Sequence, residues 1–165
     1  MKEIAEKHAG KRTIYFAGTG ASYPNTIEAA LKIMESSYVP AQGFGTEQLL
    51  HGPWVSLDSE SLVFVMATDR RTYERSMDLV RSASSVGSTV IPIVYENEHE
   101  MTSISKHVVH IPVIDEHLAP YLSIIPLYFF AYYMSVQRGN NPDYIHYTTP
   151  AYWNARQIIF PPGTH

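Results

Sequence analysis

The spacing of apolar residues changes along the chain, and each change marks an element. Ile27, Leu31, Met34 and Tyr38 recur at i, i+4, i+7 and i+11, one stripe of a helix that runs on from Pro24. This stripe is expected to face a core. Glu28, Lys32 and Glu35 form a second stripe rotated by roughly 90° from the first, so one flank of the same helix carries two carboxylates and an amine. Gly43 and Gly45 then break the pattern, which reads as an irregular crossing over Ala41–Thr46. About one helical turn follows over Glu47–His51 and stops at Gly52-Pro53.

Elsewhere the period is that of strands. Thr13–Ala17 is a short apolar run that ends in Gly18-Thr19-Gly20, and Ser61–Ala67 is a near-continuous apolar run, as in a strand buried on both faces of a parallel sheet. Arg70–Val86 is amphipathic through Tyr73, Met77 and Val80, with Gly87 as its stop. Thr89–Tyr95 reads as a strand in which Pro92 suggests an edge or an irregularity. A short helix over 101–106 and a strand over Val108–Val113 complete the alternation. Leu118–Val136 holds no charged residue; its prolines and aromatics favour a helix packed on the sheet or at an oligomer interface over a membrane span.

This order predicts an α/β fold: a doubly wound, flavodoxin-like parallel sheet of four to five strands with helices on both faces. Residues 1–12 are expected to form an N-terminal arm or helix remnant, 13–139 the domain, and 140–165 an extended C-terminal tail. Ligands of such sheets bind beyond the carboxyl ends of the strands. The Gly18-Thr19-Gly20 turn and the start of the Glu28/Lys32/Glu35 helix are both expected there, and free N–H groups in a glycine turn at a helix N-terminus suit an anion.

Composition narrows the function. The 165 residues are 45% hydrophobic and 17% charged, as for one globular domain. A net charge of −4 without a basic run argues against nucleic acid as a partner. Without cysteine there is no disulfide, thiolate nucleophile or zinc-thiolate site. The charged start MKEIAEKHAGKR lacks an apolar h-region, so a cytoplasmic protein is expected. The eight histidines show no metal-binding spacing, and no metal is expected. His107 and His110 read as residues on opposite faces of a strand, and His99, His117, His146 and His165 as surface or loop residues. His51 stands apart because of its Gly-Pro context.

Each polar residue also has a plainer use. Asn25 and Glu28 fit a capping box, Glu28–Lys32–Glu35 a solvated ladder, and His51 a cationic helix C-cap. The run EAALKIMESSYVPAQGFGTEQLLHGP, however, resembles the second sugar-isomerase (SIS) repeat of glutamine–fructose-6-phosphate aminotransferases. It matches the E-x-x-x-K-x-x-E series and the later H-G-P together, and weaker similarity covers most of the chain.

The resemblance implies aldose–ketose isomerisation of a sugar phosphate of the fructose-6-phosphate or glucosamine-6-phosphate class, without any cofactor. Glu35 would move the proton between C1 and C2 through an enediol, His51 would open the ring, and Glu28 and Lys32 would position hydroxyls. Gly18, Thr19 and Gly20 would approach the substrate. The family's paired-serine phosphate loop belongs to the first repeat; here the corresponding turn is Ala67–Thr72, where Asp69 would repel a phosphate. The tail lacks the family's lysine, and no cysteine is present for a glutaminase. A half-site is therefore expected, completed by a homodimer, a higher oligomer or a first-repeat partner. The alternatives are a deglycase of phosphorylated sugar–amine adducts and a non-catalytic phosphosugar sensor.

Overall fold

The computed structural model describes residues 1–146 and 149–163. Five strands, β1 (Thr13–Gly18), β2 (Ala41–Gly45), β3 (Ser61–Met66), β4 (Thr89–Tyr95) and β5 (Val109–Ile111), form one sheet in the order β2-β1-β3-β4-β5, with every pairing parallel. The expected α/β doubly wound fold is thus the observed one. The chain reverses its direction of travel between β1 and β3, so the switch point lies at their carboxyl ends.

Strand alternation splits the core into two layers. Ile14, Phe16, Leu62, Phe64, Met66, Ile91 and Ile93 point to one face, where α1 (Lys2–His8), α2 (Tyr23–Ser37) and α6 (Ala119–Gln137) cover them. The Phe16 and Phe64 rings stack at 5.2 Å, and Phe130 of α6 lies 4.7 Å from Phe64. Ala17, Val63, Val65, Val90 and Val94 point to the opposite face, against α3 (Thr46–Leu50), α4 (Tyr73–Ser85) and α5 (Glu100–Ile104). The continuous apolar run of β3 is buried at every position, as its central place requires.

Several expectations change. The buried face of α2 is Thr26, Ala29, Ala30, Ile33 and Ser37, whereas Ile27, Leu31 and Met34 are 51%, 39% and 43% exposed. Small residues face the sheet because α2 crosses β2 at very close range: a Cβ on Gly43 would lie 2.4 Å from the Thr26 carbonyl carbon. Gly43 therefore marks a helix–strand crossing, and Ala41–Gly45 is a strand, not an irregular connection.

Asn25 does not build a capping box. Its amide donates to the Pro120 carbonyl at 2.7 Å and to Ser123 Oγ at 3.2 Å, tying α2 to α6. Pro92 sits inside β4, between β3 and β5. Its neighbour Ile93 bonds towards β3, so position 92 faces the β5 side, where pairing begins only at Ile93. The missing N–H is never required there. Ile4 and Ala5 of α1 are buried in the core, and the C-terminal segment holds a helix, α7 (Pro150–Ile159), where an extended arm was expected. His165 lies outside the described residues.

Candidate active site

Helix α2 starts where β1 ends and returns to the start of β2, so it runs antiparallel to the strands. Glu35, in its last turn, lies about 18 Å along the axis from Tyr23. Glu35 and Lys32 therefore sit towards the amino edge of the sheet, away from the carboxyl end where the fold suggested a site.

The polar stripe itself is assembled. Lys32 Nζ donates to Glu35 Oε2 at 2.7 Å and lies 3.7 Å from Glu28 Oε1, and Tyr128 Oη of α6 donates to Glu28 Oε1 at 3.1 Å. The hydrogen bond to Glu35 raises the pKa of Lys32 against a smaller opposing effect of burial, so the amine stays charged. All three side chains are about one-third exposed, at 36%, 35% and 32% for Glu28, Lys32 and Glu35. Lys32 and Glu35 line a cavity of about 310 Å³ between α2 and α6, with Ser36, Tyr128 and Tyr132 as walls and Pro142 and Ile145 from the C-terminal segment.

An aromatic clasp holds that segment. Tyr38 leaves α2 in the left-handed region (φ 56°) and its ring stacks on His146 (φ 52°), which stacks in turn on Tyr152. Tyr38 Oη donates to the Tyr144 carbonyl and accepts from the His146 N–H. Tyr38, expected in the core, is thus a hinge post for the tail.

His51 lies elsewhere. It caps α3, on the other face of the sheet from α2, and its side chain is 74% exposed. Nδ1 lies 2.8 Å from the Glu47 carbonyl, which can only accept, so Nδ1 carries the proton and a neutral ring leaves Nε2 free as a base. The Glu47 carboxylate is 3.3 Å from the same nitrogen and is gripped by Arg75 at 2.5 and 3.1 Å, which holds its pKa below the ordinary range. The C-cap reading of His51 and a catalytic one are compatible. Within one chain, though, His51 and Glu35 occupy opposite layers.

The Gly18-Thr19-Gly20 turn stands at the switch point, beside Thr68, whose Oγ1 lies 2.9 Å from Ser22 Oγ. The nearly buried Asp69 carboxylate lies under Gly20, where an added Cβ would come within 2.6 Å of Oδ2. Arg71 binds that carboxylate through its backbone N–H at 2.9 Å and its guanidinium at 3.3 Å. The turn therefore opens onto an occupied acidic floor. The structure groups Glu28, Lys32 and Glu35, and keeps both His51 and the glycine turn apart from them.

The family model for the SIS domain matches residues 8–138. This chain belongs to the SIS domain family. It is 36% identical over 143 residues to a glutamine–fructose-6-phosphate aminotransferase of Methanosarcina acetivorans, covering 87% of this chain and 23% of the relative's length. The C-terminal domain of glucosamine-fructose-6-phosphate aminotransferase from Francisella tularensis superposes with a TM-score of 0.78 at 24% identity, covering 85% of this SIS domain and 40% of that chain. A tagatose-6-phosphate ketose/aldose isomerase from Escherichia coli superposes at 0.71 with 26% identity over 83% of this chain and 40% of its own. The SIS domain thus spans less than half the length of each of these proteins.

Sequence patterns did not single out Tyr128, Tyr132, Glu47 or Arg75. The two tyrosines, one turn apart in a charge-free helix, were the available signal, since phenol groups on an apolar helix need partners.

Proposed function

We propose that this SIS domain supplies one half of a phosphosugar isomerase site. The observation that carries the reading is the Glu28–Lys32–Glu35 cluster at the cavity between α2 and α6. Lys32 occupies one oxygen of Glu35 and leaves the other for the carbon acid, so the carboxylate is held in one orientation. Glu28, fixed by Tyr128, presents a second acceptor for sugar hydroxyls. The Nε2 of His51 suits ring opening but belongs to the far layer, so a second chain brings its own His51 to this cavity. The phosphate is held by that chain or by a first SIS repeat, because Asp69 fills the local turn. The substrate class is a hexose 6-phosphate or its 2-amino counterpart.

The test is exchange of substrate C1 or C2 hydrogen with solvent deuterium, run on the chain alone and with a first-repeat SIS partner. Glu35→Gln should abolish exchange and change sugar binding less than about tenfold, because the charge lost acts in the transition state. His51→Ala should slow the cyclic sugar far more than an open-chain analogue. Sugar binding without exchange by the unmodified protein in both samples would replace the isomerase with a phosphosugar sensor.

A further inference from the structure

The Lys32 ammonium has two carboxylates near it on its own helix, and it bonds the one that the helix favours less. On an isolated helix the better arrangement sets a glutamate one turn ahead of a lysine, as Glu28 stands before Lys32. Glu35 instead follows Lys32 and lies in the last turn of α2, where the negative end of the helix dipole disfavours a carboxylate. Yet Lys32 Nζ donates to Glu35 Oε2 at 2.7 Å and stays 3.7 Å from Glu28 Oε1, beyond hydrogen-bond reach. Exposure does not separate the two acids, at 36% for Glu28 and 32% for Glu35.

The difference comes from α6. Tyr128 Oη donates at 3.1 Å to Glu28 Oε1, the oxygen that faces Lys32. Burial and this hydrogen bond raise the pKa of Tyr128 against the opposing Lys32, so the phenol keeps its proton and remains a donor. A carboxylate oxygen drawn towards a neighbouring helix, with part of its accepting capacity used, competes less well for an amine.

We propose that Tyr128 is a positioning residue: by holding Glu28 towards α6, it assigns the Lys32 ammonium to Glu35. Without the phenol hydroxyl, Lys32 returns to Glu28 in the arrangement that the helix itself favours, and the Glu35 carboxylate loses the bond that orients it. The ion-pair assignment stands by itself; its effect on proton transfer rests on the isomerase reading.

The experiment combines Tyr128→Phe with Glu28→Gln, which keeps an acceptor for Tyr128 but removes the competing charge. The partner of Lys32 is read at low temperature from the NMR coupling between Nζ and a carboxyl carbon across the hydrogen bond. That coupling is expected to Glu35 in the unmodified protein and in Glu28→Gln, and to Glu28 in Tyr128→Phe. Exchange of fructose 6-phosphate hydrogen with solvent deuterium, in the presence of a first-repeat partner, gives the second readout. Tyr128→Phe should lower the exchange rate at saturating sugar about tenfold, as for loss of a charged hydrogen bond, and change the half-saturating concentration less than about threefold. In the Glu28→Gln background the same substitution should be nearly silent, because no second carboxylate competes. A phenol that only walled the cavity would cost the same in both backgrounds, and that result would overturn the proposal. So would a coupling that stays with Glu35 in Tyr128→Phe. Absence of exchange from the unmodified protein would count against the isomerase reading alone, and the coupling would still decide the assignment.

Discussion

Lys32 is held by two carboxylates and Glu35 by one amine, so the geometry of the cluster depends on the lysine more than on either acid. A different residue, His8, sets an acid limit on stability. Its ring packs edge-on against His107 at 5.9 Å with Nε2 buried and unpartnered, and burial, reinforced by Lys11, lowers its pKa. The unfolded chain then binds the proton more readily than the folded one, so folding stability falls as pH drops below the unfolded value of about 6.5. Replacing His8 with asparagine should flatten that part of the stability curve, measured by urea unfolding at a series of pH values. An unchanged pH dependence would contradict this account.

At the scale of elements, α2 carries the most information. Its sheet-facing residues are small because Gly43 brings β2 within contact of the Thr26 backbone. Gly43→Ala must push α2 outward and should cost about 1–3 kcal/mol in chemical denaturation, in the range of overpacked cores. The same shift would move Lys32 and Glu35 relative to α6, so sugar binding should weaken with stability. Helix α6 is apolar all round: Leu127, Phe130 and Met134 are buried, while Ile125, Phe129, Tyr132 and Val136 are about half exposed. By length and composition it could cross a membrane; its buried face packs on the sheet of this domain.

For the whole molecule, α2 and α6 pack together and each leaves apolar side chains exposed. Ile27, Leu31 and Met34 of α2 are exposed on the flank beyond the polar stripe, and Ile125, Phe129 and Tyr132 are exposed on α6. An apolar surface of this kind marks an interaction site, and a stable pair of chains buries about 800 Å² on each. A homodimer is therefore expected in light scattering at tens of micromolar, and Phe129→Asp, which leaves the core untouched, should yield a folded monomer. A monomeric unmodified protein would refute this. Dimerisation through this face would also bring a neighbour close to the Lys32/Glu35 cavity.

The sequence alone was sufficient for the parallel α/β fold, the strands with long apolar runs, and the polar flank of α2. These follow from local periodicity, because a residue's neighbours at i+2 or i+4 lie on the same element. The Glu28–Lys32–Glu35 grouping was legible for that reason. Tertiary structure decided which α2 stripe is buried, because two stripes of similar period compete and backbone approach at Gly43 selects the smaller side chains. It also decided that Tyr128 joins Glu28 across about a hundred residues and that Asn25 bonds to α6. Above all it placed His51 and Glu35 in opposite layers. The sequence distance between them is short, but one edge strand turns the chain from one face of the sheet to the other, and no spacing rule records that crossing.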